Sequence, residues 1–131
     1  MIVLDAGALI ALINERDSHH LWARDLFAST TSDDWMISTL NLAEVMVHPV
    51  RAGKSEEFLR GIEGLHLRVE EVSPDYAIEL ATLRAETSLK MPDVIALHLA
   101  RSHSGTLATV DGQLAQKAAA YGCDVVSPAL T

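Results

Sequence analysis

Short, wholly apolar runs alternate along this chain with longer stretches in which apolar residues recur at helical spacing. Ile2-Val-Leu4 is too brief for a helix and apolar throughout, which predicts a strand buried on both faces, followed by a helix from Ala6 to Asn14. Leu21, Trp22, Ala23, Leu26 and Phe27 repeat at helical spacing and predict a second helix, with Ser18 as its cap. Asp33-Asp34 reads as a turn into a second strand, Trp35 to Ile37, after which Ser38 or Thr39 caps a helix carrying Glu44 and reaching Pro49 or slightly beyond. Ser55 to Leu65 predicts another helix and Leu67 to Val72 a third strand. Ser73-Pro74-Asp75 is a helix start, because proline suits the first helical position and the acid favours the positive end of the helix dipole. Pro92 opens a helix to about His103, Thr106 to Val110 is a fourth strand, Gln113 to Tyr121 a helix closed by Gly122, and Asp124 to Val126 a last strand. Strands alternating with helices imply an α/β fold: a central, mainly parallel sheet of four to five short strands flanked by helices, in a single domain over 1–131.

Four acids interrupt this pattern. Asp5 follows Ile2-Val-Leu4, Glu44 splits Leu40-Asn-Leu-Ala-Glu44-Val-Met-Val47, Asp93 follows Met91-Pro92 ahead of Val-Ile-Ala-Leu97, and Asp111 ends Leu107-Ala-Thr-Val110. A carboxylate taken from water costs several kcal/mol unless its charge is compensated. Each has a plain structural explanation: Asp5 as a helix cap, Glu44 on a solvated face, Asp93 at a helix dipole, Asp111 in a turn with Gly112. The neighbours Leu42, Ala43, Val45, Met46 and Val47 leave the Glu44 helix little polar width, so burial on most of its sides is expected. In combination, two acids at strand ends and two on adjacent helices suit one site at an edge of a parallel sheet. An oxygen-only cluster selects Mg²⁺ or Mn²⁺ over softer metals, and such ions act on phosphates.

Composition narrows the classes. Hydrophobic residues make up 49 % of the 131 but aromatics only 5 %, so the core must be built from Leu, Ile, Val and Ala. Trp22, Phe27 and Trp35 fit core or contact positions, since no basic residues interleave with them for base stacking. The net charge of −8 argues against a module that grips nucleic acid by surface charge alone, but not against a nuclease, because bound divalent ions reverse the potential locally. Cys123 is the single cysteine and reads as a small hydrophobe; with no internal disulfide possible, a reducing compartment is expected. The apolar stretch Ala8 to Ile13 is far below the roughly 18 residues of a membrane span, and no targeting signal is evident, so a cytoplasmic protein without membrane attachment is expected. The six histidines lack the spacing or cysteine partners of a zinc site; His48, one turn beyond Glu44, is placed to reach the rim of the acidic site. Lys90, three residues before Asp93, is placed to meet a phosphate or simply to be solvated.

The motifs Met1-Ile-Val-Leu-Asp5-Ala-Gly-Ala-Leu-Ile-Ala-Leu12, Leu42-Ala-Glu44, Pro92-Asp93-Val-Ile-Ala96 and Leu107-Ala-Thr-Val-Asp111-Gly-Gln-Leu114 resemble, in this order, those of PIN domains, and among them the VapC-type toxins of toxin–antitoxin pairs. The resemblance covers essentially the whole chain and implies a three-layer PIN-like domain. It further implies an Mg²⁺- or Mn²⁺-dependent endoribonuclease with Asp5, Glu44, Asp93 and Asp111 as catalytic and metal-binding residues. RNA would be hydrolysed to a 5′-phosphate and a 3′-hydroxyl, and a cognate basic antitoxin and a homodimer are the expected partners. Many relatives carry Thr or Ser after the first Asp and Thr three residues before the Glu; this chain has Ala6-Gly7 and Asn41, while Thr109 keeps the family's hydroxyl. Asn41 and Thr109 are therefore the expected supports of the acids. Two alternatives stand: a receiver-type Mg²⁺-binding signalling domain, whose paired acids after strand one and Lys after strand five are missing here, and a PIN-like RNA-binding or processing module without a toxin role.

Overall fold

A computed structural model describes residues 1–30 and 34–130, so the turn expected at Asp33-Asp34 falls partly outside the described residues. Among the described residues five strands are formed: β1 (Ile2–Leu4), β2 (Trp35–Ser38), β3 (Arg68–Glu70), β4 (Thr106–Ala108) and β5 (Asp124–Val126). The helices are α1 (Ala6–Ile13), α2 (His20–Ser29), α3 (Thr39–Arg51), α4 (Ser55–Glu63), α5 (Ala77–Thr87), α6 (Met91–Ser102) and α7 (Gly112–Ala120). All strand pairings are parallel, in the order β3-β2-β1-β4-β5.

Register and pleat explain the two cores. Val3 aligns with Met36 and Leu107, and these three side chains leave one face of the sheet to meet Leu80 and Leu83 of α5, Val94 and Leu97 of α6 and Leu114 of α7. Ile2, Leu4, Trp35, Ile37 and Ala108 leave the other face and pack on Ala8 and Leu9 of α1, Val45 of α3 and Ile62 of α4. A strand covered on both sides needs apolar residues at every position, which is why β1 shows no alternation. The result is the expected three-layer α/β fold. No helix among the described residues is long and apolar enough to cross a membrane.

Local chemistry sets the ends of the elements. Ser38 caps α3, its Oγ accepting the Asn41 N–H at 3.0 Å. Ser73 accepts the Asp75 N–H, but the first turn, Pro74–Tyr76, is a 3₁₀ turn that precedes α5. Ser18 does not cap α2: the Asp17 carboxylate takes the His19 N–H at 2.8 Å, and the helix begins only at His20. The third and fourth strands are shorter than expected. β3 forms one edge, with Arg68 and Val69 exposed and Arg68 paired to Glu70 at 2.9 Å, and β5 forms the other, beginning at exposed Asp124.

The strand order locates the ligand crevice. The chain steps from β1 to β2 to β3 in one direction and then returns to β4 on the opposite flank of β1. Above the carboxyl ends of β1 and β4 lies the switch point, where open α/β sheets form their sites. Receiver-type domains run 2-1-3-4-5, so this order sets that alternative aside.

Candidate active site

Asp5 leaves β1 at the switch point and is 6 % exposed. Its Oδ1 accepts the Ala8 N–H at 2.8 Å and so caps α1, while its Oδ2 accepts the Thr109 hydroxyl. Thr109, fully buried just beyond β4, also accepts the Asp111 N–H at 3.0 Å. One hydroxyl thus joins the Asp5 carboxylate to the backbone of Asp111. Asp111 is exposed and caps α7, its Oδ1 accepting the N–H groups of Gln113 (2.9 Å) and Leu114 (3.2 Å). Gly7 keeps this corner tight, because a Cβ there would stand 3.0 Å from Val110 Cγ2.

Asp93 lies half-buried in the first turn of α6, and its carboxylate has no hydrogen-bond partner among the described residues. Burial first, then the charges of Asp111, Asp5 and Glu44, raise its pKa to about 6, with Lys90 opposing. A helix N-terminus favours an anion, so burial and the three like charges outweigh the dipole here. The Asp5 pKa is also raised, by burial above all, although its hydrogen bonds to Thr109 and Ala8 pull it down.

Glu44 reaches this group from α3. Contrary to expectation, α3 is buried along one stripe only, Asn41, Val45 and Pro49, and Glu44 is exposed together with Leu40, Val47 and Val50. The helix contacts the protein through a single face, so its apolar residues exceed its buried surface. Asn41, 1 % exposed, donates from Nδ2 to Glu44 Oε1 (3.2 Å) and to the Pro92 carbonyl (3.1 Å), and its Oδ1 accepts the Ser38 hydroxyl (2.8 Å).

The four sequence-singled acids therefore share one electrostatic neighbourhood centred on Asp93. They do not form a closed cage: among the described residues no three His, Cys, Asp or Glu side chains stand close enough to hold one ion in common. Asp111 and Asp5 each give one oxygen to a helix cap, which accounts for part of that spacing. The donor chemistry still fits a hard divalent cation, being all oxygen, crowded with like charge and including one carboxylate without a hydrogen-bond partner among the described residues. Mg²⁺ asks for only one or two carboxylates and keeps several waters.

One feature escaped the sequence reading. A groove among α1, α3 and α4 is lined by Ile10, Ile13, Val45, Pro49 and Phe58, with Asn14, Glu15, Arg16, Glu44 and His48 also on its wall. The i, i+3 spacing of Ile10 and Ile13 was its only local signal. A second groove, between α5 and α6, holds the His98–Glu79 pair (2.8 Å) and is lined by none of the four acids. Cys123 is half-buried with its thiol pKa pushed up by burial, as suits a packing residue.

A parallel sheet covered by helices on both faces, with acids gathered at its switch point, is the architecture of an α/β domain that keeps its site at the strand ends. The PIN domain model matches residues 2–120, and the chain belongs to that family. Among solved structures it is similar to a toxin–antitoxin complex from Klebsiella pneumoniae at 27 % identity and TM-score 0.71, over 98 % of both chains. It is also similar to VapC20 of Mycobacterium tuberculosis, a sarcin-ricin loop cleaving toxin, at 20 % identity and TM-score 0.74 over 89 % of this chain and 95 % of that one. VapBC2 from Rickettsia felis, bound to a promoter DNA fragment, shares 18 % identity at TM-score 0.73 over 97 % and 98 % of the two chains. No curated protein sequence matches the chain.

Proposed function

We propose that this chain is a divalent-metal-dependent endoribonuclease that hydrolyses RNA phosphodiester bonds and serves as the toxin of a VapBC-type toxin–antitoxin pair. The observation that carries this reading is the pressure of three carboxylates on a fourth, Asp93, at the switch point of a PIN fold. Asp5, Asp93, Asp111 and Glu44 are the residues that would hold Mg²⁺ or Mn²⁺. When bound, the ion polarises the scissile phosphate and lowers the pKa of the attacking water. The chain's own side chains do the rest. Thr109 fixes the rotation of Asp5, Asn41 holds Glu44, and Lys90, whose charge pulls the Asp93 pKa down, would pair with a substrate phosphate.

The partner in this reading is a basic antitoxin. A chain of net charge −8 with Glu44 and Glu15 on the wall of a mainly apolar groove complements a segment that brings apolar side chains and a basic group. Toxin–antitoxin complexes among the structural relatives support the same partner. The homodimer and a cytoplasmic location belong to this reading as well, and sedimentation of the purified chain tests the former.

An RNA cleavage assay decides the activity. Cleavage is expected with Mg²⁺ or Mn²⁺, to stop on chelation, and to disappear in Asp93→Asn and Asp5→Asn proteins that remain folded. Activity surviving in chelator would falsify the metal-dependent reading. RNA binding without cleavage would identify a binding module instead.

A further inference from the structure

We infer that Asn41 is a positioning residue that sets Glu44 against Asp93 and thereby tunes the affinity of the acidic site for a divalent cation; this rests on the metal-dependent reading above. Three observations meet at one carboxamide. Its Nδ2 donates to Glu44 Oε1 at 3.2 Å, and the same nitrogen donates to the Pro92 carbonyl at 3.1 Å, one residue before Asp93. Its Oδ1 accepts from Ser38 Oγ at 2.8 Å, at the end of β2. Two acceptors on one side and a hydroxyl donor on the other leave the amide a single orientation.

A helix-capping role does not account for this. Ser38 already caps α3 through the Asn41 N–H. What the Asn41 side chain adds is a bridge between α3 and α6, helices that pack on opposite faces of the sheet and deliver Glu44 and Asp93 to its edge. Glu44 is otherwise exposed, and Asn41 supplies its only side-chain hydrogen bond among the described residues. Without it the carboxylate is free to swing into water. A hydroxyl at this position has one donor hydrogen and can serve one acceptor at a time, whereas the amide serves both.

The test is Mn²⁺ binding by calorimetry on the whole chain, with metal-free melting as the check on folding. Substituting Asn41→Leu is expected to raise the Mn²⁺ dissociation constant roughly tenfold or more, the usual scale for losing a partner of a metal-binding carboxylate. Asn41→Thr, which keeps one donor, should fall between Leu and the wild type, and RNA cleavage should drop in kcat with KM unchanged. Because the effect runs through Glu44, the same Asn41 substitution should matter less once Glu44 is already Ala. Wild-type Mn²⁺ affinity in folded Asn41→Thr and Asn41→Leu proteins overturns the inference, and so does an undiminished effect in the Glu44→Ala background. If Asn41→Leu does not fold, Asn41→Thr with and without Glu44→Ala decides. Absence of Mn²⁺ binding by the wild type would sink the metal reading and this inference together, while wild-type binding with unaltered variants sinks this inference alone.

Discussion

Asp5 and Asp111 stand where paired strands end, share the Thr109 hydroxyl, and each caps a helix with its carboxylate. Asp93 and Glu44 arrive on helices from opposite layers, Asn41 joins Glu44 to the Pro92 carbonyl beside Asp93, and among the described residues no backbone N–H serves either carboxylate. The first pair works for the fold as well as for the site; the second carries charge that the protein leaves largely uncompensated. In the metal-dependent reading a cation would be most needed on the helix side, with the strand side as the rigid reference.

That contrast can be broken experimentally. The largest expected effect is on RNA hydrolysis, which falls to background in Asp93→Asn and Asp5→Asn alike, since both halves are required; a cleavage time course of each variant checks this. Next comes metal-linked stability. An ion that binds only the folded chain should stabilise it by about 2.7 kcal/mol at a concentration about 100 times its Kd. A melting curve with and without Mn²⁺ should show this rise for the wild type and little of it for Asp93→Asn. A melting temperature indifferent to millimolar Mn²⁺ argues against the site.

Smaller effects separate the halves. Asp5→Ala and Asp111→Ala each remove a helix cap and should cost about 1 kcal/mol of metal-free stability by denaturant titration. Asp93→Ala removes no hydrogen bond of the carboxylate and should cost less than either. The last effect is on pH. Folded Asp93 keeps its proton to about pH 6, against an ordinary value of 3.8. Between these values the folded chain binds more protons than the unfolded one, so this group's contribution to stability declines as pH rises through the window. Asp5, with its pKa also raised, acts in the same direction. In chelator, Asp93→Asn should gain on the wild type in melting temperature as pH goes from about 4 to about 6; parallel curves would contradict the crowding of charge.

Much of the fold was legible because its signals are local. β1 announced itself by continuous apolarity, α3 by Ser38, and α6 by Pro92 with Asp93 in its first turn. What was not legible depends on partners far along the chain. Resemblance alone marked Thr109 and Asn41 as supports of the acids; their particular partners, Asp5 at 104 residues from Thr109 and the Pro92 carbonyl at 51 from Asn41, follow from no spacing rule. The exposure of Glu44 was misread because the apolar residues of α3 exceed what one packed face can cover. Ser18 does not cap α2, which starts at His20 without a side-chain cap, because Asp17 closes a local turn on the His19 N–H just before it. The four acids stood out through their contrast with apolar surroundings, yet that no three of them stand as one cluster among the described residues required the side-chain positions.

The outermost strands carry charge where another extended segment would dock: Arg68 and Glu70 on β3, Asp124 on β5. An incoming strand would have to strip water from those groups while aligning its own backbone, which natural sheets use to prevent lateral templating. Growth of the sheet into fibres is thus opposed at both of its margins.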